Sequence, residues 1–151
     1  MPDDHVVSRW VFYPRMTTEE HELIWHTVFE FPKGRPESVV WRKYLPDIQH
    51  VHREGCLREA CANKRNEERG KDLIRYEGAI SAQVGRIRSI RSSNSFGFAV
   101  AHDPSDGQPI YHAHIAYAAD ADRPLTKQDK IELKTLLRAV FSDLSAHSCK
   151  S

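Results

Sequence analysis

Apolar residues fall in two periods along this chain, and the change of period marks its elements. Residues 6–13 (Val-Val-Ser-Arg-Trp-Val-Phe-Tyr) are rich in β-branched and aromatic types and stop at Pro14, which predicts a strand. Residues 38–44 predict another, closed by Pro46. Between them, 17–31 carries two patterns at once. Thr17 with Glu20 resembles a capping box, and Leu23, Thr27, Val28 and Phe31 make a helical stripe. Yet Leu23, Trp25, Thr27, Phe29 and Phe31 also alternate, and the aromatics tip the balance toward strand. Asp47 is a good N-cap for a helix running toward Gly70, with Gly55 as a site for a break or kink.

Over 79–90, Ile80, Val84 and Ile87 recur at helical spacing, so a helix is expected there despite Gly85. Residues 96–102 and 110–117 alternate around a turn-rich connection, Asp103 to Pro109, and predict a β-hairpin. Matching its apolar faces sets Tyr111, Ala113, Ile115 and Tyr117 on one side. His112 and His114 then share the other with Gly97, Ala99 and Ala101, and His102 joins the apolar face near the strand end. Thr126 with Asp129 opens the last element. Leu133, Leu136, Leu137, Val140, Phe141 and Leu144 form the apolar stripe of an amphipathic helix to about residue 146. These elements describe one α+β domain over 1–146. Its small, mainly antiparallel sheet carries two or three helices on one face, and 147–151 is expected to be a frayed tail.

Charge narrows the function more than it suggests one. The 22 basic and 21 acidic residues leave a net charge of +1, which lacks the electrostatic footprint of a duplex-DNA binder. No apolar run approaches the ~20 residues of a spanning helix, and the first residues are acidic, with no apolar segment of a secretion signal. Cys56, Cys61 and Cys149 are few and odd in number. That usage fits a reducing cytoplasm better than a disulfide framework.

The chemistry-bearing residues are the histidine couples His50-Val51-His52 and His112-Ala113-His114. His50 and His52 cannot share a helix face, because two residues turn ~200°. His112 and His114 do share a strand face. With Tyr111 and the arginines Arg86, Arg88 and Arg91, they supply the residue types for phosphodiester cleavage. A histidine serves as base and acid, and a cation meets the developing phosphorane charge. Trp41, Tyr44 and Phe96 are aromatics of the kind that stack on unpaired bases. A second combination is metallic: His52 and Cys56, four apart on a helix, with His112 and His114 form a His₃Cys set of types suited to zinc. Asp103 and Asp106 read as turn formers.

The run Trp41-Arg42-Lys43-Tyr44 resembles the signature of the plant WRKY DNA-binding domains, in which paired cysteines and a later His-x-His bind zinc. Cys56-x₄-Cys61 and His112-x-His114 are similar in type. The chain departs from the family at Leu45-Pro46-Asp47, and in the fifty residues between Cys61 and His112. No function is carried over from it. Without a Gly-rich phosphate loop, a G-x-S-x-G elbow or H-E-x-x-H, the chain reads first as a cytoplasmic interaction or regulatory module with a protein partner, a subunit of a larger assembly with no cofactor. The sharper alternative is a histidine-dependent hydrolase of RNA or nucleotide phosphodiesters, and the third is a zinc-binding domain.

Overall fold

The structure is a computed structural model of the chain and describes residues 1–105, 107–118, 120 and 122–149. Asp106 of the hairpin connection, and Lys150 and Ser151 of the tail, lie outside the described residues. Six strands form one antiparallel sheet: β1 (Val6–Tyr13), β2 (Glu37–Trp41), β3 (Arg75–Gln83), β4 (Phe98–His102), β5 (His112–Tyr117) and β6 (Ser145–Ala146), in the order β4-β5-β2-β1-β3-β6. The helices are α1 (Trp25–Val28), α2 (Ile48–Glu68), α3 (Val84–Arg88) and α4 (Lys127–Val140). The α+β class is therefore as expected, with a larger sheet than the sequence suggests. Among the described residues, no helix is long and apolar enough to cross a membrane.

Alternation along the strands creates two sheet faces. One carries Val7, Val11, Val39, Trp41, Ile80, Val100, Ala113 and Ile115, and these join Val84 and Ile87 of α3 and Leu133 and Leu137 of α4 in the hydrophobic core. Thr126 caps α4 reciprocally with Asp129, as its sequence predicts. A buried ion pair, Arg9 with Glu37, lies on this face. The other face carries Ser8, Trp10, Tyr76, His112 and His114 by register. Over β1 and β3 it is covered by α2: the Trp10 indole donates to the Val51 carbonyl at 3.0 Å, and His52 bonds Tyr76. The helices thus lie on both faces, where the sequence suggested one. Asp47 caps α2 through the Gln49 amide, and the helix passes through Gly55 without a break.

Three local expectations give way to tertiary pairing. Residues 79–83 belong to β3, and only 84–88 are helical. Eight register pairs with β1 outweigh a helical spacing that three apolar residues carry. Residues 17–31 form neither a long helix nor a strand. They make a Thr17–Leu23 bridge, the single turn α1 and irregular chain. Thr17 does not cap; its hydroxyl donates to buried Glu77, which Arg75 and His21 also bind. Burial works against a charge at Glu77, but these three hydrogen bonds hold its carboxyl below the ordinary range. The last helix ends at Val140, because Phe141 turns inward onto Phe29 with ring centres 4.9 Å apart.

Candidate functional site

β5 is hydrogen-bonded to β2, with His114 opposite Ser38 and His112 opposite Val40. His112 reaches diagonally along the shared face, and its Nε2 lies 3.2 Å from Ser38 Oγ. Its Nδ1 lies 3.0 Å from the Asp103 carbonyl and 3.6 Å from the Asp103 carboxylate. A carbonyl only accepts, so Nδ1 carries the proton. Nε2 of the neutral ring then meets the Ser38 hydroxyl as an acceptor. The His114 Nδ1 is 3.6 Å from the same Asp103 oxygen, which places one carboxylate between two imidazoles.

Ser38 and His112 open into a pocket of about 260 Å³, walled by Trp10, Arg58, Gln108 and Tyr111. Tyr111 packs edge-on against Trp10, and its hydroxyl donates to Glu54 at 3.1 Å. Burial, then the Glu54 charge, pushes the Tyr111 hydroxyl up to about 12, so it keeps its proton near neutrality. Arg58 sits on α2 with its guanidinium 5.2 Å from the Trp10 ring centre. Arg58 is exposed, and a cation held over an indole face is well placed to meet an anion entering the pocket.

The structure brings His112 and His114 to one end of this face and, against the expected alternation, Tyr111 with them, because Tyr111 precedes β5 and packs on Trp10; it does not bring the three arginines to them. Arg88 is occupied by the Met1 carbonyl, Asp3 and the Val100 carbonyl. Arg91 donates to the carbonyls of Arg88 and Ile90. Arg86, on α3, lines a groove with Gln83 and with Val140 of α4. The arginines that line the pocket with His112 are Arg9, which is paired with Glu37, and Arg58. Trp41 and Phe96 are buried in the core and offer no free face to a base.

The structure does not bring the expected zinc set together. Cys56 is bonded to Cys149 in a disulfide, so its sulfur is no thiolate ligand, and the same bond removes the cysteine pair that resembled the WRKY pattern. His52 is buried, with its ring nitrogens on Tyr76 and Ser145. Among the described residues, no group of three His, Cys, Asp or Glu could hold a metal. The tail expected to fray is tied down as far as Cys149.

Ser38, Asp103 and Arg58 escape a reading of the sequence alone. Ser38 is one polar residue in an alternating strand, Asp103 resembles any turn aspartate, and Arg58 is one of many charges on α2. The β2–β5 register brings Ser38 to His112, and the β4–β5 hairpin brings Asp103 there. No family model matches the chain, no curated protein is detectably similar to it, and no solved structure is detectably similar to its fold.

Proposed function

We propose that this protein is a histidine-dependent hydrolase of phosphodiesters in RNA or nucleotides, with Ser38 as nucleophile and His112 as its base. The observation that carries this reading is the double engagement of His112, Nδ1 on Asp103 and Nε2 on Ser38, at the mouth of a walled pocket. As Ser38 Oγ attacks phosphorus, His112 Nε2 accepts its proton; the same nitrogen returns the proton to the departing alkoxide. Water then attacks the phosphoserine, giving its proton to Nε2, and the Ser38 oxygen leaves and recovers it. Asp103 orients the ring and stabilises the imidazolium, in the manner of a serine–histidine–aspartate arrangement. Arg58 faces the phosphoryl charge, and Trp10 offers an aromatic edge to a base. His114, on the same carboxylate, tunes Asp103.

The location that goes with this reading is the cytoplasm, where a disulfide such as Cys56–Cys149 is reversible rather than a permanent staple. A direct test uses bis(p-nitrophenyl) phosphate and a short RNA as substrates, with a fluorophosphonate as a probe of Ser38. Turnover that falls at least about a hundredfold in Ser38→Ala and His112→Asn, with probe attached at Ser38, is the expected result. Equal turnover in both variants and no labelling would overturn it. The chain would then stand as an interaction or regulatory module engaging a protein partner.

A further inference from the structure

The last described residues are held by a different logic from the rest of the fold. Ser142 donates its amide to the Ser81 carbonyl, and its hydroxyl accepts from the Ser81 amide. Ser145 and Ala146 pair with Ala79 and Gly78, and the His147 amide donates to the Glu77 carbonyl. Gly78 has a φ of +137° and carries no Cβ, which lets the Ser145 backbone come close. The strip 142–149 is otherwise thin. Its strand is two residues long, and most of its side chains are exposed. A ladder that short gives little independent stability.

Three described contacts clamp the strip to α2, one of them the hydrogen bond between Ser145 Oγ and His52 Nε2 at 3.3 Å. The His147 ring stacks on His52 with centres 4.5 Å apart and planes within 10°. Cys149 is disulfide-bonded to Cys56, closing a separation of 93 residues. Both cysteines are partly exposed. Beneath the strip lie His52 and Tyr76, both buried.

We infer that Cys56–Cys149 is a redox modification site for a dithiol reductant, and that its reduction releases residues 142–149 as a strap from the β3 edge. In the exchange, a thiolate of the dithiol attacks one protein sulfur and the other leaves as a thiolate that takes a proton. The second thiol of the reductant then resolves the mixed disulfide, leaving two protein thiols and an oxidised dithiol. Freed of the bond, the strap loses its covalent tie to α2 and keeps non-covalent contacts, among them the two-residue ladder, three flanking hydrogen bonds and the contacts of Ser145 and His147 with His52. The β3 edge over 77–81, with His52 and Tyr76 behind it, becomes open to solvent. This holds whether or not Ser38 is a nucleophile.

The test is amide hydrogen exchange on the full chain, with and without dithiothreitol, beside a count of iodoacetamide adducts. The untreated protein should take one adduct, at Cys61, and the reduced protein three. Reduction should speed exchange at the Ser142, Ser145, Ala146 and His147 amides at least tenfold and leave β1, β2 and α4 unchanged. Cys149→Ser should reproduce the fast exchange without reductant, whereas Cys61→Ser should still respond to it. Three adducts before reduction, unchanged exchange after it, or acceleration across the whole sheet would each overturn the proposal.

Discussion

Gly55 lies against the ring of Tyr76 so closely that a Cβ placed on it would stand 2.5 Å from two ring carbons. The contact explains a glycine in the middle of a long helix. A helix interior ordinarily loses roughly 0.5–1 kcal/mol by carrying glycine instead of alanine. Here the missing side chain lets α2 sit down on β3.

Gly55→Ala should therefore destabilise the protein although it improves helix propensity. The Tyr76 ring cannot step aside, because it is held by the His52 hydrogen bond at 2.8 Å and by Phe12 at 5.6 Å between centres. Overpacking of this kind costs about 1–3 kcal/mol, against a propensity gain of at most about 1. The urea midpoint should fall, and the loss should shrink in a Tyr76→Leu background. A midpoint that rises in Gly55→Ala would refute the packing explanation.

The Arg9–Glu37 pair makes a second prediction. Arg9 also donates to the Val28 and Ser38 carbonyls, and Glu37 also accepts from the Phe31 amide, so the pair ties residues 28–31 to β1 and β2. Arg9→Met leaves the Glu37 carboxylate buried without its cation and should cost about 3–5 kcal/mol. Glu37→Leu together with Arg9→Met should cost less than the sum of the two single changes. Additive losses in a double-variant denaturation cycle would mean that the two side chains act independently.

His52 ties stability to pH. Burial first, then the charges of His147 and Arg42, holds its imidazole below the ordinary histidine range. Tyr76 and Ser145 complete its surroundings, and burial keeps the Tyr76 phenol well above its ordinary range and therefore neutral. The unfolded chain binds a proton here near the usual ~6.5, before the folded chain does. Folding should thus weaken as pH falls through that value, and continue to weaken until the folded ring also takes a proton. Between pH 7.5 and 5.5 the native protein should lose more stability than His52→Gln does. Equal losses would assign the pH dependence to other groups.

How far these features could be read in the sequence depended on their range. The β1 strand, the Asp47 and Thr126 caps, the 96–117 hairpin and the shared face of His112 and His114 were all legible. Each is set by residues a few positions apart, through strand alternation, helix period or a cap. The helix expected over 79–90 failed for the complementary reason. Isoleucine itself favours a strand whatever the spacing, and the choice at 79–83 was made by β1, some seventy residues away.

The candidate site divides along the same line. By itself the sequence determined that two imidazoles would emerge together from one strand. Tertiary structure alone decided what they meet. Ser38 comes to His112 across 74 residues, through the register of two strands that no local preference aligns, and Cys149 comes to Cys56 across 93. Such contacts form when the sheet as a whole buries its apolar face, so their partners are settled by the energetics of the entire core and not by the residues beside them in the chain.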